Sequence, residues 1–260
     1  MHSSLTPSRK LEYYLLWPGG NTTALVMEPI ARSHQAVLAK HIMGQGREIE
    51  QVGFIEEPEN STADFRLQMM GGEFCGNGAR SAAFLWSRKR NKKQIMLEIS
   101  GFDKLLHVEI SNVHEVKIII PIEFFKKLRF ENRTWIADFS GIRQIISQNR
   151  DPQNAQALIQ KWKQNFPAVG VINSRFIKDR IIIDTACVWV SRTKTLVSET
   201  ACASASIAVA LAAQQLDAKR QDFKVVQPSG ELYFLTLKKH EIVLRGKIDY
   251  LGKKKIALPR

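Results

Sequence analysis

The chain repeats its own layout, and a cysteine stands at the same point of each repeat. In the first half, Leu11–Trp17 and Thr22–Val26 read as strands around the turn Pro18-Gly19-Gly20-Asn21. A helix is predicted from His34 to Met43, with Ser33 as its N-cap. Strands at Glu50–Glu56 and Phe65–Met70 lead into Gly71-Gly72-Glu73-Phe74-Cys75, after which Asn77–Arg88 reads as a helix. Strands at Ile95–Ile99, Lys104–Ile110 and Val116–Ile120 complete the half. The second half has a strand near Thr134–Phe139 and a helix from Pro152 to Lys163, Pro152 suiting a first helical turn. Strands at Ala168–Ile172 and Ile181–Val190 then lead to Ser198-Glu199-Thr200-Ala201-Cys202 and a small-residue helix over Ser204–Gln215. Strands at Phe223–Val226, Leu232–Leu237 and Ile242–Arg245 follow. Few folds accommodate such a repeat, and the pattern predicts a duplicated α+β architecture. The chain reversal around Phe125–Arg133 marks the expected boundary between 1–125 and 126–260, with a C-terminal strand near 247–260 returning to the first lobe.

A cysteine at a helix start has a distinctive chemistry. Unpaired backbone N–H groups and the positive end of the helix dipole gather there. Such a setting lowers a thiol pKa from about 8.5 into a range of about 3.5–7.5. Cys75, in Glu73-Phe74-Cys75-Gly76-Asn77-Gly78-Ala79-Arg80, is so placed, and its glycines let a carboxylate approach the same N–H groups. On this segment alone, a cysteine packed in a tight turn is an equal reading. Cys202, in Glu199-Thr200-Ala201-Cys202-Ala203-Ser204-Ala205-Ser206, is the matching case in the second half. If the halves face each other across a pseudo-twofold axis, the two thiols flank one cleft. A thiolate on one side of a tetrahedral carbon and a thiol on the other is what two-base racemisation requires. Cys187 lies in the strand Ile181–Val190 without such a loop and reads as a core residue.

Composition narrows the classes further. Three cysteines in 260 residues make no disulfide scaffold, and no His or Cys lies at zinc-ligand spacing from any of them. The N-terminal stretch is short and polar, and no apolar run approaches the roughly 20 residues that span a bilayer, so the expected location is the cytoplasm, away from membranes. The net charge of +13 is carried by scattered residues, with small clusters at Arg88–Lys93 and Lys253–Lys255. Neither cluster interleaves with the aromatics of a base-stacking platform, so the charge reads as a solvated surface rather than a nucleic-acid site. A small-molecule ligand is the expected partner, and a homodimer is left open.

Cys75-Gly76-Asn77-Gly78-Ala79-Arg80 resembles the first catalytic cysteine loop of the diaminopimelate epimerase-like superfamily. Asn21 in Gly19-Gly20-Asn21 is similar to that family's substrate-binding asparagine, and Gln227-Pro228-Ser229-Gly230 to its late Pro-Gly turn. The resemblance runs over most of Leu11–Leu258. Within the superfamily the chain more nearly resembles the histidine racemases of staphylopine-type metallophore pathways. That likeness is carried by Pro18-Gly19-Gly20-Asn21-Thr22-Thr23, Glu50-Gln51-Val52-Gly53-Phe54-Ile55-Glu56, Gly72-Glu73-Phe74-Cys75-Gly76-Asn77 and Glu199–Cys202. It implies two pseudo-symmetric lobes, each a mixed sheet around a central helix, that close on an amino-acid substrate. It further implies Cys75 and Cys202 as the acid/base pair, without pyridoxal phosphate or metal. Asn21, Glu50, Gln51, Gly76, Asn77, Glu199, Ala203 and Ser204 become candidate substrate contacts, although Glu50 and Gln51 read equally as polar residues at a strand edge.

Two departures bear on the substrate. Diaminopimelate epimerases carry a Glu-Arg pair shortly before the second cysteine, where this chain has Arg192-Thr193-Lys194-Thr195-Leu196-Val197-Ser198. The family's glycine-rich loop after that cysteine is here Ala203-Ser204-Ala205, which sets methyl groups where backbone approaches a carboxylate. Histidine or another basic amino acid is therefore the expected substrate. The alternatives are diaminopimelate itself, or a thiol redox-responsive or ligand-binding protein without catalysis.

Overall fold

The smallness of two helices dictates the architecture, because an apolar helix rich in Ala, Ser and Gly can be enclosed on all sides. The structure, a computed structural model, describes residues 10–46, 48–111, 114–147 and 152–258. Its first half runs β1 (Lys10–Trp17), β2 (Thr22–Val26), α1 (Arg32–Met43), β3 (Ile49–Glu56), β4 (Phe65–Met69), α2 (Gly76–Arg90), β5 (Gln94–Ile99), β6 (Phe102–Ile110) and β7 (Glu115–Pro121). The second runs β8 (Phe125–Glu131), β9 (Thr134–Phe139), β10 (Ile142–Ser147), α3 (Pro152–Trp162), β11 (Ala168–Ile177), β12 (Arg180–Val190) and β13 (Thr195–Ser198). It ends with α4 (Ala203–Leu216), β14 (Asp222–Val226), β15 (Leu232–Leu237), β16 (Glu241–Lys247) and β17 (Asp249–Ala257).

Both halves pair their strands in one order. β1 and β2 are antiparallel, β2 and β3 parallel across α1, and β4 and β5 parallel across α2. Likewise β9 and β10 are antiparallel, β10 and β11 parallel across α3, and β12 and β14 parallel across α4. β7 joins β16 antiparallel, so the two sheets are continuous through their middle. One outer strand is exchanged: β17 leaves the second half to pair with β1, taking beside it the place that β8 takes beside β9.

Every residue from Gly76 to Leu85 of α2 and from Ala203 to Ala213 of α4 is buried. These helices are the axes around which the sheets curl, and they touch each other at the centre. α1 covers the outside, burying only Gln35, Leu38, Ala39 and Ile42, the single face expected of a 3.6-residue period. Among the described residues, no helix is long and apolar enough to cross a membrane.

Local expectations are corrected at three places. Ser33 is not an N-cap: α1 starts at Arg32 after Ala31, without a side-chain cap. The stretch read as a chain reversal, Phe125–Arg133, is strand β8 followed by a tight turn in which Asn132 and Arg133 both take positive φ. Cys187 is not a core residue. β12 alternates, turning Ala186, Val188 and Val190 inward, and Cys187 lies half-buried on the other face, 3.6 Å from Ser198 Oγ.

Candidate active site

Cys75 caps α2 and Cys202 caps α4, with nearly the same extended backbone: φ −139°, ψ 106° and φ −140°, ψ 114°. Both line one small cavity of about 30 Å³, room for roughly two water molecules. Glu50, Gln51, Glu73, Gly76, Asn77, Glu199, Ala203 and Ser204 share that lining. The sequence-derived set is thus brought together except for Asn21, which is not among the lining residues and joins the site through Thr200, whose hydroxyl accepts from its N–H. Three of the lining side chains are carboxylic acids, and none of the described lining residues is Lys, Arg or His.

The first half builds its site by a chain of directed hydrogen bonds. Cys75 Sγ donates to Gln51 Oε1 at 2.8 Å and accepts from the Gly78 N–H at 3.2 Å. Gln51 Nε2 donates to Thr23 Oγ1 at 2.6 Å, and that hydroxyl donates to the Asn21 carbonyl at 3.1 Å. Glu73 is buried and accepts the Gly71 N–H at 2.8 Å.

The second half supports Cys202 differently. Gln144 Nε2 lies 2.8 Å from Ser204 Oγ and 3.7 Å from Cys202 Sγ, while Ser204 Oγ is 3.5 Å from that sulfur. The Cys202 N–H donates to Gln227 Oε1 at 3.0 Å, so the late turn holds the second cysteine loop.

Polar contacts bridge the halves. Glu50 accepts from the Thr200 N–H at 2.9 Å and from the Thr200 hydroxyl at 2.6 Å, and the Asn21 N–H donates to that hydroxyl at 2.6 Å. Asn77 Nδ2 donates to the Ala201 carbonyl at 3.0 Å, and Asn77 Oδ1 lies 2.9 Å from the Tyr233 hydroxyl. Arg80, fully buried, packs over the Tyr233 ring and donates to the Lys247 carbonyl at 3.0 Å. Unpartnered buried polar atoms remain, Arg80 Nε and Gln144 Oε1 among them, and Asn21 stands out because both of its side-chain polar atoms lack a partner. Held at φ 48° and 1% exposed, its side-chain amide has neither polar atom hydrogen-bonded. An unpartnered buried amide is a costly feature that marks a place for a ligand or water.

The electrostatics reverse one sequence expectation. Burial pushes both thiols up rather than down, and the Glu199 carboxylate adds to the rise at each. Helix-start N–H groups oppose this and lose. Burial also raises Glu199 to about 8, with Glu50 adding to the rise, and Glu73 to about 7; it raises Glu50 as well. A positive charge entering the cavity would relieve all of these groups at once.

Gln144, Glu73, Thr200, Arg80 and Tyr233 are additions that the sequence motifs alone did not single out as site residues. Glu73 and Thr200 lay inside quoted segments. Gln144 left one signal, a carboxamide in an otherwise apolar run after Arg143.

Comparison with known proteins follows this geometry. The family described as the histidine racemase CntK N-terminal domain matches residues 10–251. The chain is 27% identical to a histidine racemase of Staphylococcus aureus, over 89% of this chain and 90% of that protein. It is 28% identical to a histidine racemase of Fusobacterium nucleatum, over 95% of this chain and 96% of the relative. Among solved structures, a hydroxyproline epimerase from Agrobacterium vitis with bound trans-4-OH-L-proline superposes with a TM-score of 0.66 at 12% identity, covering 100% of this chain and 95% of that one. A phenazine biosynthesis protein of the PhzF family from Enterococcus faecalis gives 0.61 at 12% identity, covering 96% and 100%. These structural likenesses speak to the fold, the two-sheet epimerase architecture.

Proposed function

The chain belongs to the histidine racemase CntK N-terminal domain family, and on that premise we propose that it racemises histidine, or another basic amino acid, with Cys75 and Cys202 as the acid/base pair. The observation that carries this reading is geometric: two cysteines, each opening a buried central helix, line one cavity from opposite halves.

The α-proton of an amino acid is weakly acidic, and the residues at hand address that barrier by position and by dipoles. Helix-start N–H groups at Gly76-Asn77 and Ala203-Ser204 can hold the substrate carboxylate, where negative charge builds as the proton leaves. One sulfur then takes the α-proton while the other delivers a proton to the opposite face. Enclosure excludes water and strengthens each of these interactions. The carboxyl groups of Glu50, Glu73 and Glu199 favour a substrate that brings positive charge, and that charge favours the thiolate. A second amino-acid head group, as in diaminopimelate, brings a carboxylate that finds no cationic side chain among the described lining residues. We take 1–125 and 126–260 as the two lobes, less the exchanged edge strand, that must part to admit substrate. The clasp of Glu50 on Thr200 then opens and Glu50 becomes available to the substrate side chain.

The test is a comparison of kcat/KM for L-histidine, L-lysine, L-ornithine and LL-diaminopimelate, followed by loss of circular dichroism, on wild type and Glu50→Gln. Histidine or another basic amino acid leads for wild type, and Glu50→Gln lowers its rate. Charged-partner hydrogen bonds are worth about 1.5–3 kcal/mol, roughly one to two orders of magnitude in kcat/KM. A wild-type preference for diaminopimelate, or an unchanged rate and ranking in Glu50→Gln, sinks the substrate assignment.

A further inference from the structure

The two halves give each cysteine a glutamine, but from opposite strands of the same motif. In the first half Thr23 of β2 faces Gln51 of β3 across the parallel pair, and Gln51 reaches Cys75. In the second half the matching parallel pair sets Gln144 of β10 beside Gly170 of β11, and Gln144 reaches Cys202. A Cβ at Gly170 would lie 2.0 Å from Gln144 Oε1, so the missing side chain there makes room for the carboxamide. Gln144 is fully buried and its Oε1 has no hydrogen-bond partner. Apolar packing would not retain an orphaned amide oxygen, and its Nε2 is what engages the second cysteine loop.

The orientation of each amide fixes what its cysteine can be. Thr23 uses its single proton on the Asn21 carbonyl, which can only accept, so Thr23 must accept from Gln51. The NH₂ of Gln51 therefore faces Thr23 and its carbonyl faces Cys75. A carbonyl beside sulfur accepts an S–H and repels a thiolate. On the other side the Gln144 NH₂ faces Ser204 and Cys202, and Ser204, accepting from Gln144, is left with its proton for the sulfur. Donors beside sulfur favour the thiolate.

We propose that Gln144, acting with Ser204, is a positioning residue that holds Cys202 as the base of the resting pair, while Gln51 keeps the resting proton on Cys75. The proposal rests on the reading of the two cysteines as acid and base. In the first turnover Cys202 takes the α-proton and Cys75 gives its own to the opposite face. The pair is then inverted, with Cys202 as thiol and Cys75 as thiolate, and resets by proton exchange with water. Glu199 raises both thiols and, unlike at Cys75, hydrogen-bonds Cys202: ionised, it opposes a thiolate there, whereas protonated, as its rise to about 8 has it at neutral pH, it donates to one; Tyr233 stands near both. Glu50 and Glu73 share the cavity. Arg80, behind Cys75, attracts a thiolate there and works against the polarity, but it acts at a distance, whereas the Gln51 carbonyl sits 2.8 Å from the sulfur.

The experiment titrates each thiolate by its ultraviolet absorbance, in a Cys187→Ala background, using Cys75→Ser to report Cys202 and Cys202→Ser to report Cys75. Cys202 is expected to ionise first, by about one pH unit, a tenfold difference in acidity. Gln144→Leu raises the Cys202 midpoint and leaves that of Cys75 in place, and Ser204→Ala does the same should the leucine variant fail to fold. Gln51→Leu lowers the Cys75 midpoint. Ionisation of Cys75 before Cys202, or a Cys202 midpoint unmoved in both Gln144→Leu and Ser204→Ala, overturns the proposal. These midpoints are read without turnover, so their failure leaves the racemase reading standing, and a failure of racemisation leaves the midpoints interpretable.

Discussion

Cys75 and Cys202 open their helices with the same backbone angles, yet one is followed by Gly-Asn-Gly and the other by Ala-Ser-Ala. The two loops meet at the centre of the molecule, and a Cβ at Gly76 would lie 2.8 Å from the Cβ of Ala203. The methyl group that departs from a glycine-rich second loop is thus accommodated by a glycine on the first. Gly78, the other glycine of the first loop, faces Met69, where a Cβ would lie 2.8 Å from the sulfur. What repeats between the halves is the backbone that presents a sulfur to the cavity. What differs is the set of neighbours: a carbonyl beside Cys75, an amide N–H and a hydroxyl beside Cys202. Symmetry of fold supplies two facing sulfurs, and asymmetry of side chains gives each a different setting, which is what the proposed division into acid and base requires.

The comparison breaks most completely when either sulfur is removed. Cys75→Ala and Cys202→Ala are each expected to lower racemisation by the 10²–10⁴-fold typical of a lost acid or base, with far-UV circular dichroism unchanged. Cys187→Ala, on the outer face of β12, is the control and keeps wild-type turnover. Either active-site variant turning over at the wild-type rate would contradict the pair.

The packing between the loops is sharpened by a double-mutant cycle. Gly76→Ala forces two methyl groups together and is expected to destabilise by about 1–3 kcal/mol, read as a lower Tm. Adding Ala203→Gly should restore most of that loss. Additive losses in the double variant would mean that the two loops do not constrain each other.

Burial of the carboxyl groups sets a pH dependence of stability. Glu199 at about 8 and Glu73 at about 7 lie above the unfolded carboxylate value of about 4.3. The folded state therefore binds more protons than the unfolded state between these values, and stability falls as pH rises. Wild-type Tm is expected to decline from about pH 5 to about pH 8, and Glu199→Gln to flatten that decline. A decline equally steep in the variant would remove Glu199 from the account. The smallest effect is expected at the clasp between halves. Thr200→Val removes the hydroxyl that Glu50 and the Asn21 N–H share, with a stability loss of about 1 kcal/mol. The KM for histidine should fall, because Glu50 is then held by the Thr200 backbone N–H alone and is released more readily. A raised KM would make Thr200 part of the substrate contact instead.

Much of this arrangement is legible in the sequence where the controlling physics is local. A cysteine before a helix, a glycine-rich turn and a run of small residues each declare themselves within a few positions. The two halves and their paired cysteines follow from that. Strand β10 does not, because all six of its residues are buried, Arg143 and Gln144 included, so no alternation marks it. Arg143 is sheltered there by Asp138 and by the rings of Trp162 and Phe166, partners that no local window contains. Gln144 owes its place to Gly170 and its proposed role to the contact with Cys202, both distant in the chain. The thiol acidity went the other way for a related reason. The helix start is a local term, whereas burial and the Glu199 carboxylate arise from the assembled fold. Ser33 shows the same limit on a smaller scale, since α1 begins one residue before it, at Arg32, whose guanidinium pairs with Glu56.

The central claim is that two groups on opposite faces of the substrate's α-carbon exchange its proton, and isotope exchange at that carbon tests it most directly. Each enantiomer of histidine is incubated separately with the protein in deuterium oxide, and both enantiomers are separated and weighed by mass spectrometry at early times. The account predicts product carrying nearly one deuterium at Cα while the remaining substrate keeps its protium, in both directions. Product that retains the original proton, or deuterium entering substrate and product alike, would mean that a single group serves both faces and would contradict it.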